Sequence, residues 1–113
     1  MMDENVILMN EVENDGRKVH LYFNSSYNQY VAYGYSAYVV SKIAQDVEFY
    51  YDGDWQLPMV KLSDVNLRQL GIETCLAIAE KRRYVKLNVY QPFNEKDYDK
   101  WASFLRSQYL GRE

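Results

Sequence analysis

Residues 19–45 read VHLYFNSSYNQYVAYGYSAYVVSKIAQ, and the periodicity of this stretch changes at Gly34. Before the glycine, Val19, Leu21 and Phe23 alternate with His20 and Tyr22, the two-residue repeat of a strand that spans Arg17 to Phe23. Asn24 to Asn28 form a polar break, and Gln29 to Tyr33 read as a short strand halted by Gly34. Beyond it Ala37, Val40 and Ala44 recur three and four residues apart, with Val39 and Ile43 beside them. That spacing predicts a helix, for which Ser36 is the expected cap.

Working outward, Asn5 to Val12 alternates weakly and reads as a further strand, joined to the first by the tight-turn signal Asp15-Gly16. Val47 to Tyr51 and Trp55 to Leu62 flank Asp52-Gly53-Asp54, a second hairpin signal, with Pro58 suited to an edge or bulge. Ser63-Asp64 opens a helical segment running to about Arg83, which Gly71 divides. Tyr84 to Tyr90 alternates again, and Asn94 caps a last helix in which Tyr98, Trp101, Leu105 and Tyr109 recur at helical spacing. The expected order is β-β-β-α-β-β-α-β-α. This is a single α+β domain over residues 1–113, with a mixed, mostly antiparallel sheet of about six strands and three helices.

Composition narrows the role. A chain of 113 residues can bury a core without staples, and its single cysteine, Cys75, leaves no intramolecular disulfide and no thiolate cluster for zinc. No segment approaches the ~18 uninterrupted apolar residues of a membrane span, so a soluble, cytoplasmic protein is expected. The net charge of −3 has the wrong sign for binding nucleic acid by phosphate neutralisation alone, which leaves only a local basic patch for that purpose.

The segment order, with an aromatic strand ending at Tyr33-Gly34-Tyr35-Ser36-Ala37, a helix, and a hairpin containing Pro58-Met59-Val60, resembles the N-terminal mismatch-recognition domain of the MutS DNA-repair family. The likeness covers roughly Val19 to Val89. It implies an α+β scaffold on which Tyr27-Asn28-Gln29-Tyr30-Val31 would occupy the recognition segment. In that family a phenylalanine wedges beside a mismatched base and a glutamate two residues on hydrogen-bonds it. Here those positions hold Gln29 and Val31, and valine supplies no acceptor, so the resemblance does not imply mismatch reading. Lys61 also stands where the family usually has glycine.

No constellation of acid, base and nucleophile is visible, no phosphate-binding glycine loop occurs, and no cofactor is expected. His20, the only histidine, alternates on a strand and reads as a face residue; Cys75 reads as a packing thiol. Asp46, Glu48, Asp52 and Asp54 form an acidic group that turn chemistry explains without a metal. Two binding features remain. Strand alternation cannot turn Tyr27, Tyr30, Tyr33, Tyr35 and Tyr38 into one core, so some are expected at the surface, next to Gln29. Lys81-Arg82-Arg83 forms a basic turn that Arg17-Lys18 or Lys86 can extend. The expectation is a non-catalytic protein-interaction or regulatory module, bacterial or from a phage, acting on a protein partner or as a homodimer. The alternative is a nucleic-acid-binding accessory domain.

Overall fold

In the computed structural model the described residues are 4–14, 18–71, 84–88 and 95–111. Their order is α1 (Glu4–Val12), β1 (Lys18–Asn24), β2 (Gln29–Tyr33), α2 (Gly34–Ile43), β3 (Glu48–Asp52), β4 (Leu57–Leu62), α3 (Asp64–Gln69), β5 (Tyr84–Asn88) and α4 (Glu95–Leu110). Among the described residues the strands form one sheet in the order β3-β4-β2-β1-β5, with every neighbouring pair antiparallel. The α+β class therefore holds. Among the described residues the sheet has five strands rather than about six, because the segment expected as a leading strand is the helix α1, and it has no parallel pair.

That correction has a physical cause. Ile7 and Glu11, four residues apart, are the two buried positions among the described side chains of α1. One is a carboxylate, so the helical repeat leaves no apolar stripe to read, and Val6, Met9 and Val12 point outward.

Register fixes which side chains share a face. Tyr22 opposes Val31 and Tyr33 opposes Met59, so His20, Tyr22, Val31, Tyr33, Met59 and Tyr84 line one side of the sheet. Val19, Leu21, Tyr30, Ala32, Val60 and Leu62 line the other, where Ala37, Val40 and Ala44 of α2 pack against them to form the main core. Fully burying an aliphatic side chain of this kind contributes about 1.5–3 kcal/mol, and Val19, Leu21, Val40 and Val60 are all at 0% exposure. Helix α4 covers the β3 end of this face. Trp101 meets Phe49 with ring centroids 5.7 Å apart and Tyr38 at 5.4 Å, while Tyr109 meets Tyr51 at 5.5 Å.

The change of period at Gly34 is real and abrupt, since β2 ends at Tyr33 and α2 begins at the next residue. Gly34 makes the turn at φ +56, and a Cβ there would lie 3.4 Å from Glu11 Cβ and Cγ. This early start moves Ser36 inside the first turn, so it is not the cap: Tyr33 holds that position without a side-chain hydrogen bond. The orphan N–H of Ser36 is accepted instead by Glu11 Oε1 of α1 at 2.8 Å. Ser63 does cap α3, in a reciprocal box with Asn66. α3 itself is short, and the remainder of the helix expected up to Arg83 lies outside the described residues.

The two described hairpins share one loop design. Asn24 Oδ1 accepts from the backbone N–H groups of Ser26 and Tyr27, and Asp52 Oδ1 accepts from those of Asp54 and Trp55. Each loop then closes through an amide residue at φ 54, Asn28 in one and Gln56 in the other. Positive φ in the second loop thus falls on Gln56, not on Gly53. A Cβ on Gly53 would displace the Tyr109 hydroxyl.

Candidate functional site

The two faces of the sheet are unequally covered. Among the described residues, helices α2 and α4 close one, and α1 caps only part of the other, over Tyr22, Val31 and Tyr33. What remains of that second face carries two surface features, an aromatic patch at the β3–β4 end and a polar pocket at the β1–β5 end.

The aromatic patch is assembled by sheet register. Lys61 of β4 lies opposite Glu48 of β3 and diagonal to Tyr50, and the first hairpin loop places Tyr27 beside it. The Lys61 ammonium sits 3.7 Å from the Tyr27 ring centroid and 4.7 Å from that of Tyr50, a double cation–π contact. The Tyr50 hydroxyl donates to Glu48 Oε2 at 2.5 Å, and that bond raises its pKa. Tyr27 and Tyr50 are exposed at 46% and 38%. Inward of the patch the aromatic rows continue under cover. Trp55 and Tyr33 are 4.7 Å apart, Tyr33 and Tyr22 6.3 Å, and Tyr22 and Tyr84 5.4 Å.

The site residues expected from sequence are thereby sorted. Tyr27 is open and central to the patch, and Gln29 is half-buried at the start of β2. Tyr30 and Tyr33 are buried on opposite faces of that strand. Tyr35 is half-buried and meets Tyr98 of α4 with ring centroids 4.1 Å apart in a tilted contact. Val31 is buried under α1. Lys81, Arg82 and Arg83 lie outside the described residues. Sequence reading missed Tyr50 and Lys61, which meet only through the β3–β4 register. The shared pattern of Asn24-Ser25-Ser26-Tyr27-Asn28 and Asp52-Gly53-Asp54-Trp55-Gln56, an Asx residue three before an aromatic and four before an amide, was the available signal for the loops.

At the other end, Asn10, Glu13, Asn14, Lys18, His20, Tyr84 and Lys86 line a pocket of about 230 Å³. His20 Nδ1 and the Tyr84 hydroxyl share a hydrogen bond of 2.6 Å, and the two rings stack. His20 is buried rather than a simple face residue, and its imidazole pKa is held below 6.5, by burial first and then by Lys86 and Lys18.

Behind the pocket lies a buried polar network. The Ser36 hydroxyl accepts from His20 N–H at 2.9 Å and from the Asn14 amide at 3.2 Å, so its own proton goes to Glu11 Oε2 at 2.8 Å. Asn14 also donates to Glu11 Oε1 at 3.3 Å and to the Lys18 carbonyl at 2.9 Å. Glu11 is 3% exposed, and burial pushes its carboxyl up to about 7 against the pull of those hydrogen bonds. The network joins α1, β1 and the first turn of α2, and it leaves no buried side-chain nitrogen or oxygen unpaired among the described residues.

Among the described residues, no group of three or more histidine, cysteine or acidic side chains gathers as a metal site, and no helix is long and apolar enough to cross a membrane. No family model, curated protein or solved structure matches the chain.

Proposed function

We propose that this domain is a non-catalytic interaction module that takes a protein partner on the uncovered sheet face around Tyr27, Lys61 and Tyr50. The observation that carries this reading is the Lys61 ammonium held between two exposed tyrosine rings on a face that α1 leaves open. Tyrosines restrained in this way lose little freedom on binding and offer large amphipathic contact area, the character of interface hot spots. Tyr30, Tyr33 and Tyr35 support the scaffold in this reading and do not touch the partner. The likeness to the mismatch-recognition domain is kept as a proposal about the origin of the scaffold, in which Tyr30 and Val31 have passed from base reading to structure.

The test is site-specific photo-crosslinking in the native cell, with the reactive residue at position 27, 50 or, as a control on α4, 106. It is run beside anisotropy titrations against duplex, mismatched and single-stranded DNA at two salt concentrations. The reading expects one protein adduct from positions 27 and 50, none from 106, and loss of at least ~10-fold in capture with Lys61→Ala. DNA binding that falls steeply with salt, without a protein adduct at 27 or 50, would replace it with the nucleic-acid alternative.

A further inference from the structure

The polar pocket at the β1–β5 end lies apart from the aromatic patch, and nothing in the proposed interaction uses it. Among the described residues its lining contains no aliphatic side chain. Lys86 lies opposite His20 and Lys18 opposite Asn88 in the β1–β5 ladder, so the two lysines are diagonal neighbours on one face, on either side of the imidazole. Like charges so placed repel each other, yet both side chains are exposed and, among the described residues, neither ammonium group is held in an ion pair. Lys86 and Lys18 both act, after burial, to lower the His20 pKa.

We propose that this pocket binds a dianionic phosphate group, gripped between Lys18 and Lys86 with the His20–Tyr84 pair as its polar wall. A dianion neutralises the repulsion between the lysines and gains a charge-assisted hydrogen bond from each. The volume of about 230 Å³ holds a phosphate together with part of the molecule that bears it. Glu13, exposed and on the same lining, opposes any anion and sets the affinity low. Among the described residues the ionisable groups around the imidazole are Lys18 on its own strand, Tyr84 and Lys86 from β5, and Glu13 from the turn after α1, while Glu11 is linked to His20 only through Ser36.

Because His20 is the only histidine in the chain, its ring protons give one resolved NMR titration. Chloride is replaced by inorganic phosphate at constant ionic strength, with sulfate, dimethyl phosphate and acetate as parallel arms. The expected result is a rise of roughly one pH unit in the His20 midpoint with phosphate, a rise with sulfate, and little change with the two monoanions. Lys18→Met and Lys86→Met should each raise the midpoint without added anion, by removing a neighbouring positive charge, and should weaken phosphate binding roughly tenfold. Glu13→Gln should strengthen it several-fold. Thermal melts confirm that each variant is folded before it is scored. A His20 midpoint indifferent to phosphate, or a response of equal size in both lysine variants, would overturn the assignment. An equal response to acetate would reduce it to nonspecific screening and overturn it too.

Discussion

Glu11→Gln is expected to gain about 3 kcal/mol in stability over the wild-type protein as pH rises from 4.5 to about 8. Burial raises the Glu11 carboxyl from 4.5 to about 7, so the folded protein holds this proton more tightly than the unfolded chain does. The stabilising contribution is therefore complete below about pH 4.5 and is lost as pH rises through 7. At 1.36 kcal/mol per pH unit the whole effect is about 3 kcal/mol. Glutamine cannot ionise and escapes the loss. His20 acts in the opposite sense: its pKa lies below 6.5, so its contribution is present above 6.5 and lost as pH falls. The two trends oppose each other in weak acid, and the difference between variant and wild type isolates Glu11. Urea unfolding at a series of pH values measures it, and a difference that does not change with pH would contradict the buried position of the carboxyl. Glu11→Ala differs from the glutamine variant because it strands the Ser36 N–H, the Ser36 hydroxyl and the Asn14 amide without their acceptor. It should cost about 2–4 kcal/mol wherever the wild type is measured in weak acid.

Trp101→Ala is expected to destabilise the domain by about 3 kcal/mol, the low end of the range for truncating a large core aromatic because Trp101 is only half-buried. Its ring joins α4 to Tyr38 of α2 and Phe49 of β3, and it also packs against Tyr98 of its own helix. Without it α4 keeps Tyr98 and Leu105 as buried contacts, and the Tyr35–Tyr98 ring contact opens to water. Phe104, three residues further along and 59% exposed, serves as the control: Phe104→Ala should stay within about 0.5 kcal/mol of wild type. Denaturant melts followed by circular dichroism give both values. Equal costs for the two substitutions would mean that α4 does not dock through the Trp101 side.

The parts of this architecture that were legible in the sequence are those in which one short segment carries its own signal. The strand residues before Gly34 and the helix after it are read from period alone, and so are the aromatic stripe of α4 and the serine that opens α3. What stayed hidden depends on groups distant in sequence. α1 was misread because its second inward residue, Glu11, is a carboxylate whose partner Ser36 lies 25 residues away. The same pairing made Ser36 a recipient of a cap rather than its source. Alternation correctly required that the tyrosines divide between two faces, but not which face the helices would close. Tyr30 faces the α2 side, Tyr33 lies beneath the α1 side, and Tyr27 stays open because it sits in the loop. The patch of Tyr27, Lys61 and Tyr50 brings together a loop and two strands, so it exists only once the register of β3 against β4 is known.

That division of the tyrosines is the central claim, since it decides which rings can meet a partner. The most direct measurement is limited nitration of the folded protein with tetranitromethane, followed by mass spectrometry of its peptides. The structure predicts that Tyr27 reacts early while Tyr22, Tyr30, Tyr33 and Tyr98, all buried, remain unmodified until the protein unfolds. Modification of Tyr30 or Tyr33 as fast as Tyr27 would contradict it.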